Sequence, residues 1–423
     1  MEEGPMKRRF LAIFVCMAVL LASFTGCYSP QENAPSVPTA PTQTVQSGSG
    51  SGAEEPVEIK TYPLPEENVR ANIIYAPSPS TGGFWTFAVF NASSIQAYDP
   101  VTRTSYIPCY QAGCKHNDES CTAYFGKEIT ALAEYRGNFY AMICYNDDTA
   151  SALVTRPVSG GPLEVLARWE PENENEVRRC GLYGLSFGKA YLTVARETFA
   201  MEDGQMETAD EEYSKCSLDL ETGEIVEYMA DEDGYLPYMH GVWGDVAVFQ
   251  DWYADRPDGT PVKRDGSEDY NFRLYSKNLR TGEEKTIVDV TENFIWTADP
   301  HVSWGQYTVY QVDRSVYVYD METQTSKKLF THEPGWDFYN YMILDGHVMV
   351  IGGTEATCRA WAIDVTDGSV IELDTFGGDV MPFSAHYECN GYFVGLPYDS
   401  NNGDQYYISK KDYYRSNYDA AFR

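Results

Sequence analysis

The sequence predicts an all-β protein built as a seven-bladed β-propeller of four-stranded blades. Three observations lead to this fold. Aromatic residues make up 14% of the 423 residues and include 33 tyrosines, which favours strands. Two kinds of turn, one centred on glycine and one on aspartate, alternate along the chain at a single period. Apolar strands follow the glycine turns. A β-sandwich gives no reason for this repeat, whereas six or eight blades remain alternatives to seven.

The aspartate turn is clearest at Asp219–Gly223, with the sequence Asp-Leu-Glu-Thr-Gly. The aspartate can cap such a turn with its own side chain, and glycine supplies the positive φ at which the strand reverses. Each copy is therefore expected to be a tight hairpin. The weaker copies are Asn278–Gly282, Asp320–Gln324, Asp364–Gly368, Asp99–Arg103, Pro157–Gly161 and, at the end of the chain, Ser409–Asp412.

A glycine turn lies upstream of each aspartate turn. Successive glycine turns are 41–61 residues apart, close to the length of a four-stranded blade. The strands that follow, such as 139–143 and 348–351, are apolar throughout, which is typical of strands buried on both faces. The seven positions are Gly83, Gly137, Gly188, Gly244, Gly305, Gly346 and Gly391.

The ring is expected to close through its N-terminus. The last repeat has only three obvious strands, near 382–388, 391–396 and 404–409, and an open ring would expose strand edges. Residues 57–63 alternate in polarity, so we expect them to supply the missing outer strand of the last blade. The aromatic tail, 413–423, is a competitor for the same edge.

Residues 1–26 predict a lipoprotein signal peptide. A basic start precedes an apolar run over 10–22, which as a helix is roughly 20 Å long and too short for a hydrocarbon core of about 30 Å. The small residues before Cys27 resemble a lipobox, which implies that Cys27 becomes the lipidated N-terminus. An ordinary secretory peptide is the alternative.

Residues 27–56 are then the lipidated cysteine and a disordered tether, rich in Ser, Pro, Thr and Gly, that reaches about 30 Å. The folded propeller would occupy 57–423. Acyl chains on Cys27 would hold the protein to the membrane on its extracytoplasmic side.

The formal net charge of −32 argues against nucleic acid as a partner, because binding a phosphate backbone relies on clustered Lys and Arg. Only 22% of residues are charged and 43% are hydrophobic, a composition that can bury a core. We therefore expect a folded body, and we expect it to be a monomer.

One face of the ring is expected to carry the long loops. Strands run outward from A to D in a blade, so the B–C and D–A connections share a face. Long loops are predicted at 199–212 and 253–271, both B–C connections, and the Cys-rich 109–121 is a D–A connection. Binding residues concentrate on such loops, although insertions there can also be neutral. The candidate binding residues are Trp252, Tyr253, Arg256 and Arg264, of which the aromatic pair also suits packing between blades.

Four residues of that Cys-rich segment, Cys109, Cys114, His116 and Cys121, form a set that could close a tetrahedral zinc or iron site. The spacing is not the paired C-x₂-C of common zinc modules, and extracytoplasmic cysteines often form disulfides, so disulfides and free thiols remain open. A metal here would be structural, because four protein donors leave no open position. The remaining cysteines of the body are expected to be small core residues.

The sequence contains no G-x-S-x-G elbow, phosphate loop, H-E-x-x-H or dinucleotide fingerprint. His240 and His301 each lie four residues before a glycine turn, and His386 lies five residues before Gly391, so these histidines are weak catalytic candidates on innermost strands. Propeller enzymes that cleave acidic oligosaccharides use channel histidines around a metal. The alternative is histidines whose nitrogens are satisfied by backbone groups.

Taken together, the lipobox, tether, two turn types, Cys-rich segment and the ending 408–413 resemble the uncharacterised β-propeller lipoproteins of clostridia, which are themselves similar to TolB-like and low-density lipoprotein receptor-related propellers. That family has no agreed activity. The predicted function is a membrane-anchored module that binds a protein or glycan through its loop-rich face without catalysis. The alternatives are a metal-dependent polysaccharide lyase or hydrolase on the channel histidines and a scaffold in envelope assembly.

Overall fold

The computed structural model divides the chain into two units, 1–57 and 58–423, and all residues that it describes belong to the second. The predicted signal peptide, Cys27 and the tether therefore lie outside the described residues. The described ranges are 59–71, 75–77, 83–87, 93–109, 111–145, 148–202, 205–231, 236–251, 272–290, 302–312, 314–331, 337–354, 357–375, 382–389, 391–397 and 405–422.

The strands in these ranges form seven antiparallel sheets, numbered here in chain order, and β1 (Val69–Arg70) joins the third. Sheet 1 contains β2 (Tyr75–Pro77), β3 (Phe84–Phe87), β4 (Ile95–Asp99) and β5 (Thr104–Tyr106). Sheet 2 contains β6 (Glu128–Tyr135), β7 (Asn138–Tyr145), β8 (Ala150–Pro157) and β9 (Glu164–Trp169). Sheet 3 contains β10 (Glu176–Ser186), β11 (Lys189–Glu202), β12 (Gln205–Asp219) and β13 (Ile225–Ala230), with β1 on the free edge of β10.

The second half of the ring follows the same plan. Sheet 4 contains β14 (Tyr238–Trp243), β15 (Val246–Asp251), β16 (Phe272–Asn278) and β17 (Glu284–Val290). Sheet 5 contains β18 (Ser303–Trp304), β19 (Tyr307–Val312), β20 (Ser315–Asp320) and β21 (Thr325–Thr331). Sheet 6 contains β22 (Asp337–Leu344), β23 (His347–Thr354), β24 (Thr357–Asp364) and β25 (Val370–Leu373). Sheet 7 contains β26 (Phe383–Cys389), β27 (Tyr392–Pro397) and β28 (Tyr406–Ser409), followed by the short helix α1 (Lys410–Tyr414) and a 3-10 turn at Tyr418–Ala420.

Each sheet is an up-and-down meander in which every strand pairs with the next one along the chain. The successive strands are called A to D from the first to the last. Because neighbouring strands are antiparallel, the A–B and C–D turns lie at one end of every sheet, called here the turn end. The B–C connections and the D–A links between sheets lie at the other, called here the loop end.

Apolar side chains fill the spaces between successive sheets. Trp85 of sheet 1 packs edge-on against Phe139 of sheet 2, with ring centroids 4.7 Å apart, and similar clusters join each later pair of sheets. A last cluster joins sheet 7 to sheet 1, where Tyr98 and Tyr407 stack at 4.2 Å. Face-to-face packing of four-stranded meanders around a ring is the β-propeller architecture.

The predicted all-β propeller with four-stranded blades is confirmed. Six sheets have four or more strands, and sheet 7 has three in the part of the chain that is described. Complete four-stranded blades thus number six here rather than the predicted seven. The physical reason is that the strand predicted to complete the last blade does not lie on it.

The turn chemistry follows the prediction closely. At Asp219 the carboxylate accepts the backbone N–H groups of Glu221 and Thr222 at 3.0 and 2.8 Å, and Gly223 has φ +74°. The Asp99, Asn278, Asp320 and Asp364 turns show the same capping between strands C and D. The last copy differs, because Ser409 caps α1 instead of a hairpin, with its Oγ accepting the N–H of Asp412 at 3.0 Å.

The N-terminal segment, residues 59–71, corrects the predicted closure. Residues 59–65 form no strand, so the described part of 57–63 does not supply an outer strand to sheet 7. The segment instead runs across the turn end of the ring. Its hydrogen bonds reach Asp345 in sheet 6, Gly305 in sheet 5, Val242 in sheet 4 and Phe187 in sheet 3.

Asn68 is the centre of these contacts. It is 7% exposed and has φ +58°, a left-handed conformation that asparagine tolerates better than most residues. Its side-chain Nδ2 donates to the carbonyl of Gly305 at 2.8 Å, and its Oδ1 accepts the N–H of Val242 at 3.2 Å. The chain then continues as β1, which pairs with β10, the first strand of sheet 3.

The tail, 413–423, occupies part of the outer edge of sheet 7, for which the sequence made it an alternative to residues 57–63. Phe422 forms an antiparallel bridge to Tyr407 of β28, the last strand of sheet 7. No described helix is long and apolar enough to cross a membrane.

Candidate metal centre

The cysteine loop, residues 107–127, links sheet 1 to sheet 2 at the loop end. Short-range backbone bonds fold it into tight turns, among them the N–H of Cys114 to the carbonyl of Gln111 at 3.3 Å and the N–H of Cys121 to that of Asp118 at 3.0 Å. The Phe125 N–H donates to the carbonyl of Ser93 at 2.6 Å, which attaches the loop to sheet 1. These turns bring distant cysteines to one point.

The four predicted ligands do meet. One donor atom each from Cys109, Cys114, His116 and Cys121 lies within 4.8 Å of the other three. The Nδ1 of His116 lies 3.3 Å from the Sγ of Cys121, and His116 has φ +59°, which turns its ring back over the cysteines. Cys121 is fully buried, and the other three residues are half-buried.

The surroundings of the three thiols favour the thiolate form most strongly at Cys109. A hydrogen bond from the backbone N–H of Gln111 lowers the pKa of Cys109 to about 6. Burial raises the pKa of Cys121 to about 11, although the N–H of Ala123 points at its sulfur from 3.4 Å. The N–H of His116 points at the sulfur of Cys114 from 3.3 Å. Such N–H···S contacts stabilise thiolates, the form in which cysteine binds metals.

Arg156 holds the buried side of the cysteine loop through hydrogen bonds to its backbone. This residue of β8 is 2% exposed, and its Nη1 donates to the carbonyls of Cys121 and Tyr124 at 2.9 and 3.1 Å. Its guanidinium also lies over the ring of Phe125, 5.3 Å from the centroid. The buried side of the loop is therefore tied to sheet 2 by a charged donor that would partly offset negative charge on the sulfurs.

The donor set fits a zinc or iron ion. Zn–S bonds of about 2.3 Å place the sulfurs of a tetrahedral site roughly 3.8 Å apart, within the span that the loop provides. Three thiolates and an imidazole are borderline-soft donors that suit Zn²⁺ or Fe²⁺. Four protein ligands leave no position for substrate, so a metal bound here would hold the loop together.

The cysteines whose side chains the structure describes are unpaired: Cys109, Cys114, Cys121, Cys144, Cys180, Cys216 and Cys389. Cys180, Cys216 and Cys389 are buried in the clusters between sheets, as predicted for small core residues. Cys144 is half-buried, and burial raises its pKa.

His240 is the extra residue of a β-bulge in β14, three residues before that strand ends. It is fully buried, and its Nε2 lies 2.9 Å from the Oε1 of Gln250. Burial lowers the pKa of His240 to about 3, so the ring is neutral. His386 is the extra residue of the equivalent bulge in β26, which agrees with the predicted matching positions. His301 lies outside the described residues.

The predicted binding residues Trp252, Tyr253, Arg256 and Arg264 also lie outside the part of the chain that is described. The other predicted loop, 199–212, is not a loop. It is the far half of a hairpin made by β11 and β12, which pair out to Glu202 and Gln205 with one register shift between Thr198 and Phe199.

A buried charged cluster that no sequence pattern predicts lies where sheets 6 and 7 meet. It is called here the Lys410 cluster and contains Asp345, Glu388, Lys410 and Tyr414. The Nζ of Lys410 lies 2.8 Å from Oδ1 of Asp345 and 2.9 Å from Oε2 of Glu388. The Tyr414 hydroxyl donates to Oδ2 of Asp345 at 3.0 Å. The sequence predicts a turn at Ser409–Asp412, and no local pattern indicates that Lys410 is buried.

Comparisons with known proteins concern the fold alone. No family model and no curated protein matches the chain. A puromycin-hydrolysing peptidase of Mycobacterium tuberculosis is 12% identical, with a TM-score of 0.45 over 82% of this chain and 54% of that one. An oligogalacturonate lyase of Vibrio parahaemolyticus is 12% identical, with a TM-score of 0.38 over 66% and 73%.

The β-propeller domain of the trilobed protease of Pyrococcus furiosus is 10% identical, with a TM-score of 0.42 over 81% of this chain and 96% of that domain. The chain spans only about half the length of the M. tuberculosis peptidase chain. These likenesses assign no activity and no active-site residue to this chain.

Proposed function

We propose that this chain is a lipid-anchored, extracytoplasmic β-propeller that binds a protein or glycan through its loop end and does not itself catalyse a reaction. The observation that carries the proposal is an asymmetry between the two ends of the ring. The turn end is crossed by the N-terminal segment through hydrogen bonds to sheets 3 to 6. The loop end carries the cysteine loop and the β11–β12 hairpin.

The hairpin supports binding because it extends past its own sheet. Pairing with β10 ends at Thr198 and pairing with β13 ends at Ser214, whereas β11 and β12 pair with each other out to Glu202 and Gln205. The four residue pairs beyond Thr198 add roughly 14 Å of two-stranded ribbon at 3.4 Å per residue. Such a ribbon, rooted in a rigid sheet, offers both faces and both edges to a partner.

The base of the hairpin is held by an ion-pair network centred on the buried residue Glu176. Glu176 is 2% exposed, and its Oε1 lies 3.3 Å from Nε of Arg196 while it also pairs with Arg178. Arg196 continues the network to Glu212 at 3.0 Å across the ribbon. These contacts fix the direction in which the hairpin leaves the ring.

We further propose that a structural zinc or iron ion holds the cysteine loop, with a disulfide as the alternative, and that Cys27 carries the lipid. The ring would have seven blades, the last completed by the tail rather than by the N-terminus. His240, fully buried against Gln250, gives the lyase or hydrolase alternative no support, and nothing in the described ranges favours an assembly scaffold.

The test of binding uses the full chain and a variant in which residues 200–207 are replaced by a two-residue Asn-Gly turn. Both are immobilised and exposed to cell-wall glycans and to surface-protein extracts, and retained species are identified by mass spectrometry. Retention by the wild type and loss in the variant, at unchanged melting temperature, supports the proposal. Equal retention by both proteins contradicts it, as does retention by neither.

Anchoring is tested separately with Cys27→Ser, which should move the protein from the membrane fraction to the soluble fraction. Membrane association that persists in the variant would contradict a lipid on Cys27.

A further inference from the structure

The Lys410 cluster places an amine against a carboxyl group at reacting distance. Nζ of Lys410 lies 2.8 Å from Oδ1 of Asp345, and Oε2 of Glu388 lies 2.9 Å from the same nitrogen. The third acidic residue nearby, Asp364, is instead hydrogen-bonded to the Tyr62 hydroxyl at 2.6 Å. One lysine therefore contacts two carboxyl groups that lie on different sheets.

The cluster is dry. The side chains of Lys410, Asp345 and Glu388 are 2%, 0% and 7% exposed. The ring of Phe393 lies 5.7 Å from the lysine nitrogen, and Tyr414 covers the far side of Asp345. Water is thus largely excluded from the point where the amine and the carboxyl group meet.

Both partners are held by the backbone. Asp345 lies in the turn between β22 and β23 with φ +51°, and its Oδ1 also accepts the N–H of Tyr62 at 2.6 Å. Lys410 begins α1 directly after its capping residue, and its own N–H donates to the carbonyl of Gly391 at 2.9 Å. Two groups fixed in contact react with a high effective concentration, because little entropy remains to be lost on reaching the transition state.

From this geometry we infer that Lys410 and Asp345 condense to an intramolecular amide, a covalent cross-link between sheet 6 and the end of the chain. Nζ attacks the carboxyl carbon of Asp345, a C–N bond forms, and one carboxyl oxygen leaves as water. An ammonium and a carboxylate together have the composition of one amide and one water, so the step balances in atoms and charge. No oxidant, reductant or co-reactant takes part.

Glu388 is the proton carrier for this step. The amine attacks only after losing a proton, and Oε2 of Glu388 contacts Nζ directly. The same oxygen accepts the N–H of Asp345 at 2.9 Å, and Oε1 accepts from Nε1 of Trp304 at 2.8 Å, so the carboxyl group is held in place. Burial raises the pKa of Glu388, which suits a group that must accept a proton and return it to the leaving oxygen.

Each oxygen of Asp345 accepts a hydrogen bond from a donor other than Lys410. The N–H of Tyr62 serves Oδ1, and the hydroxyl of Tyr414 serves Oδ2. Whichever oxygen stays as the amide carbonyl therefore keeps a hydrogen bond, and negative charge that develops on it during attack is stabilised. A cavity of about 100 Å³, lined by Glu388, Trp304 and Leu344 among others, adjoins the cluster and can receive the released water.

Formation of the amide would also remove the desolvation penalty of a buried ion pair. A buried ammonium and carboxylate each lose their hydration, and their mutual attraction does not always compensate. Condensation replaces both charges by a neutral group that keeps its hydrogen bonds. The exposed pair Lys60 and Asp367 keeps its hydration, so condensation would not relieve a desolvation penalty there. This pair is an internal reference for an ordinary ion pair.

The test is a tryptic digest of the full chain after denaturation, reduction and alkylation, read by mass spectrometry. Trypsin should release Asp345 in 329–359 and an unmodified Lys410 at the end of 360–410. The cross-link blocks cleavage after Lys410, so the expected product is 329–359 joined to 360–411, lighter than the sum of the two peptides by one water. Recovery of only the separate peptides from the wild type would overturn the inference.

Four variants assign the roles. Lys410→Arg should give no linked product, and Asp345→Asn should give the identical linked product, because ammonia then leaves instead of water. Glu388→Gln should fold, as judged by circular dichroism, and yield at least tenfold less linked product. Wild-type yield in Glu388→Gln would overturn the role of that residue. Lys411→Arg, a change at the neighbouring lysine, should leave the yield of linked product unchanged.

This outcome does not depend on the proposed binding function, since the cross-link lies at the turn end and its readout is a mass.

Discussion

Tyr407 and Phe422 exchange two backbone hydrogen bonds, from the N–H of Tyr407 to the carbonyl of Phe422 at 2.7 Å and in the reverse direction at 2.9 Å. Tyr407 belongs to β28, so Phe422 lies where a fourth strand of sheet 7 would begin. Their rings are 5.9 Å apart, and the guanidinium of Arg103 in sheet 1 lies 4.0 Å from the ring centroid of Phe422. The last residues of the chain thus contact both the last sheet and the first.

Removing residues 417–423 should therefore destabilise the ring. The loss of two backbone hydrogen bonds and of the packing of Phe422 is expected to lower the free energy of unfolding by about 2–4 kcal/mol. The exposed edge of β28 should also promote self-association. Urea denaturation and light scattering measure the two effects. Deletion of Arg423 alone is the control, and a truncated protein with wild-type stability would show that the tail closes nothing.

Cys114→Ser should remove bound metal from the purified protein. One of four ligands is lost, and metal affinity depends on the complete donor set. Elemental analysis should find about one zinc or iron per chain in the wild type and in the control Cys144→Ser, and less than a tenth of that in Cys114→Ser. No metal in any of the three proteins, together with loss of free thiols, would favour a disulfide.

In the reduced, metal-free protein, Cys109 should be the first thiol alkylated. Its pKa of about 6 makes it mostly thiolate at pH 7 and mostly thiol at pH 5, so its labelling by iodoacetamide should fall steeply over that interval. Cys144, whose pKa burial raises, is the internal control. Peptide mapping after short exposure measures both, and equal labelling of Cys109 at pH 5 and pH 7 would contradict the assignment.

His240 should make the fold sensitive to acid. Its pKa is 6.5 when exposed and about 3 in the fold, so the neutral ring contributes stability that is complete above pH 6.5 and is lost as the pH falls toward 3. The largest effect of this group on the free energy of unfolding is about 5 kcal/mol. His240→Gln should therefore show a flatter stability curve between pH 6.5 and 4, measured by thermal unfolding. Parallel curves for the two proteins would mean that His240 does not titrate.

Asn68→Ala should loosen the N-terminal segment. The change leaves the N–H of Val242 and the carbonyl of Gly305 without their side-chain partner and places alanine at a positive φ. We expect a loss of about 2–4 kcal/mol. Asn138→Ala removes an exposed side-chain contact and is the matched control. Cleavage near residue 60 by a protease at low concentration reports the release of the segment, and unchanged cleavage would contradict its anchoring by Asn68.

The features that the sequence predicted correctly are local ones. A capping carboxylate at Asp219 and a glycine at 223 dictate a hairpin whatever surrounds them, and repetition of that hairpin implies a meander of four strands. The cluster of donors in the cysteine loop could also be predicted from the sequence, because the four donors lie within 13 residues of one another in the chain. A short loop cannot separate them far.

The path of the N-terminal segment and the Lys410 cluster could not be predicted from the sequence, because both depend on contacts between distant parts of the chain. Alternation over 57–63 is equally compatible with a strand and with an extended segment that packs Ile59 and Tyr62 inward, and only the tertiary structure decides between them. Lysine and glutamate are almost never buried, so residue type alone argues against Lys410 and Glu388 as core residues. Their pairing joins residues that are 22 positions apart across a blade.

The path of the N-terminal segment has a consequence for the order of folding. Tyr62 finds its partner Asp345 across 283 positions of chain, and Asn68 finds Gly305 across 237. A ribosome makes the first residue of each pair long before the second exists. The N-terminal segment is therefore made first but stays without these partners until sheets 5 and 6 exist, so the completed ring can form only after synthesis of the chain is nearly finished.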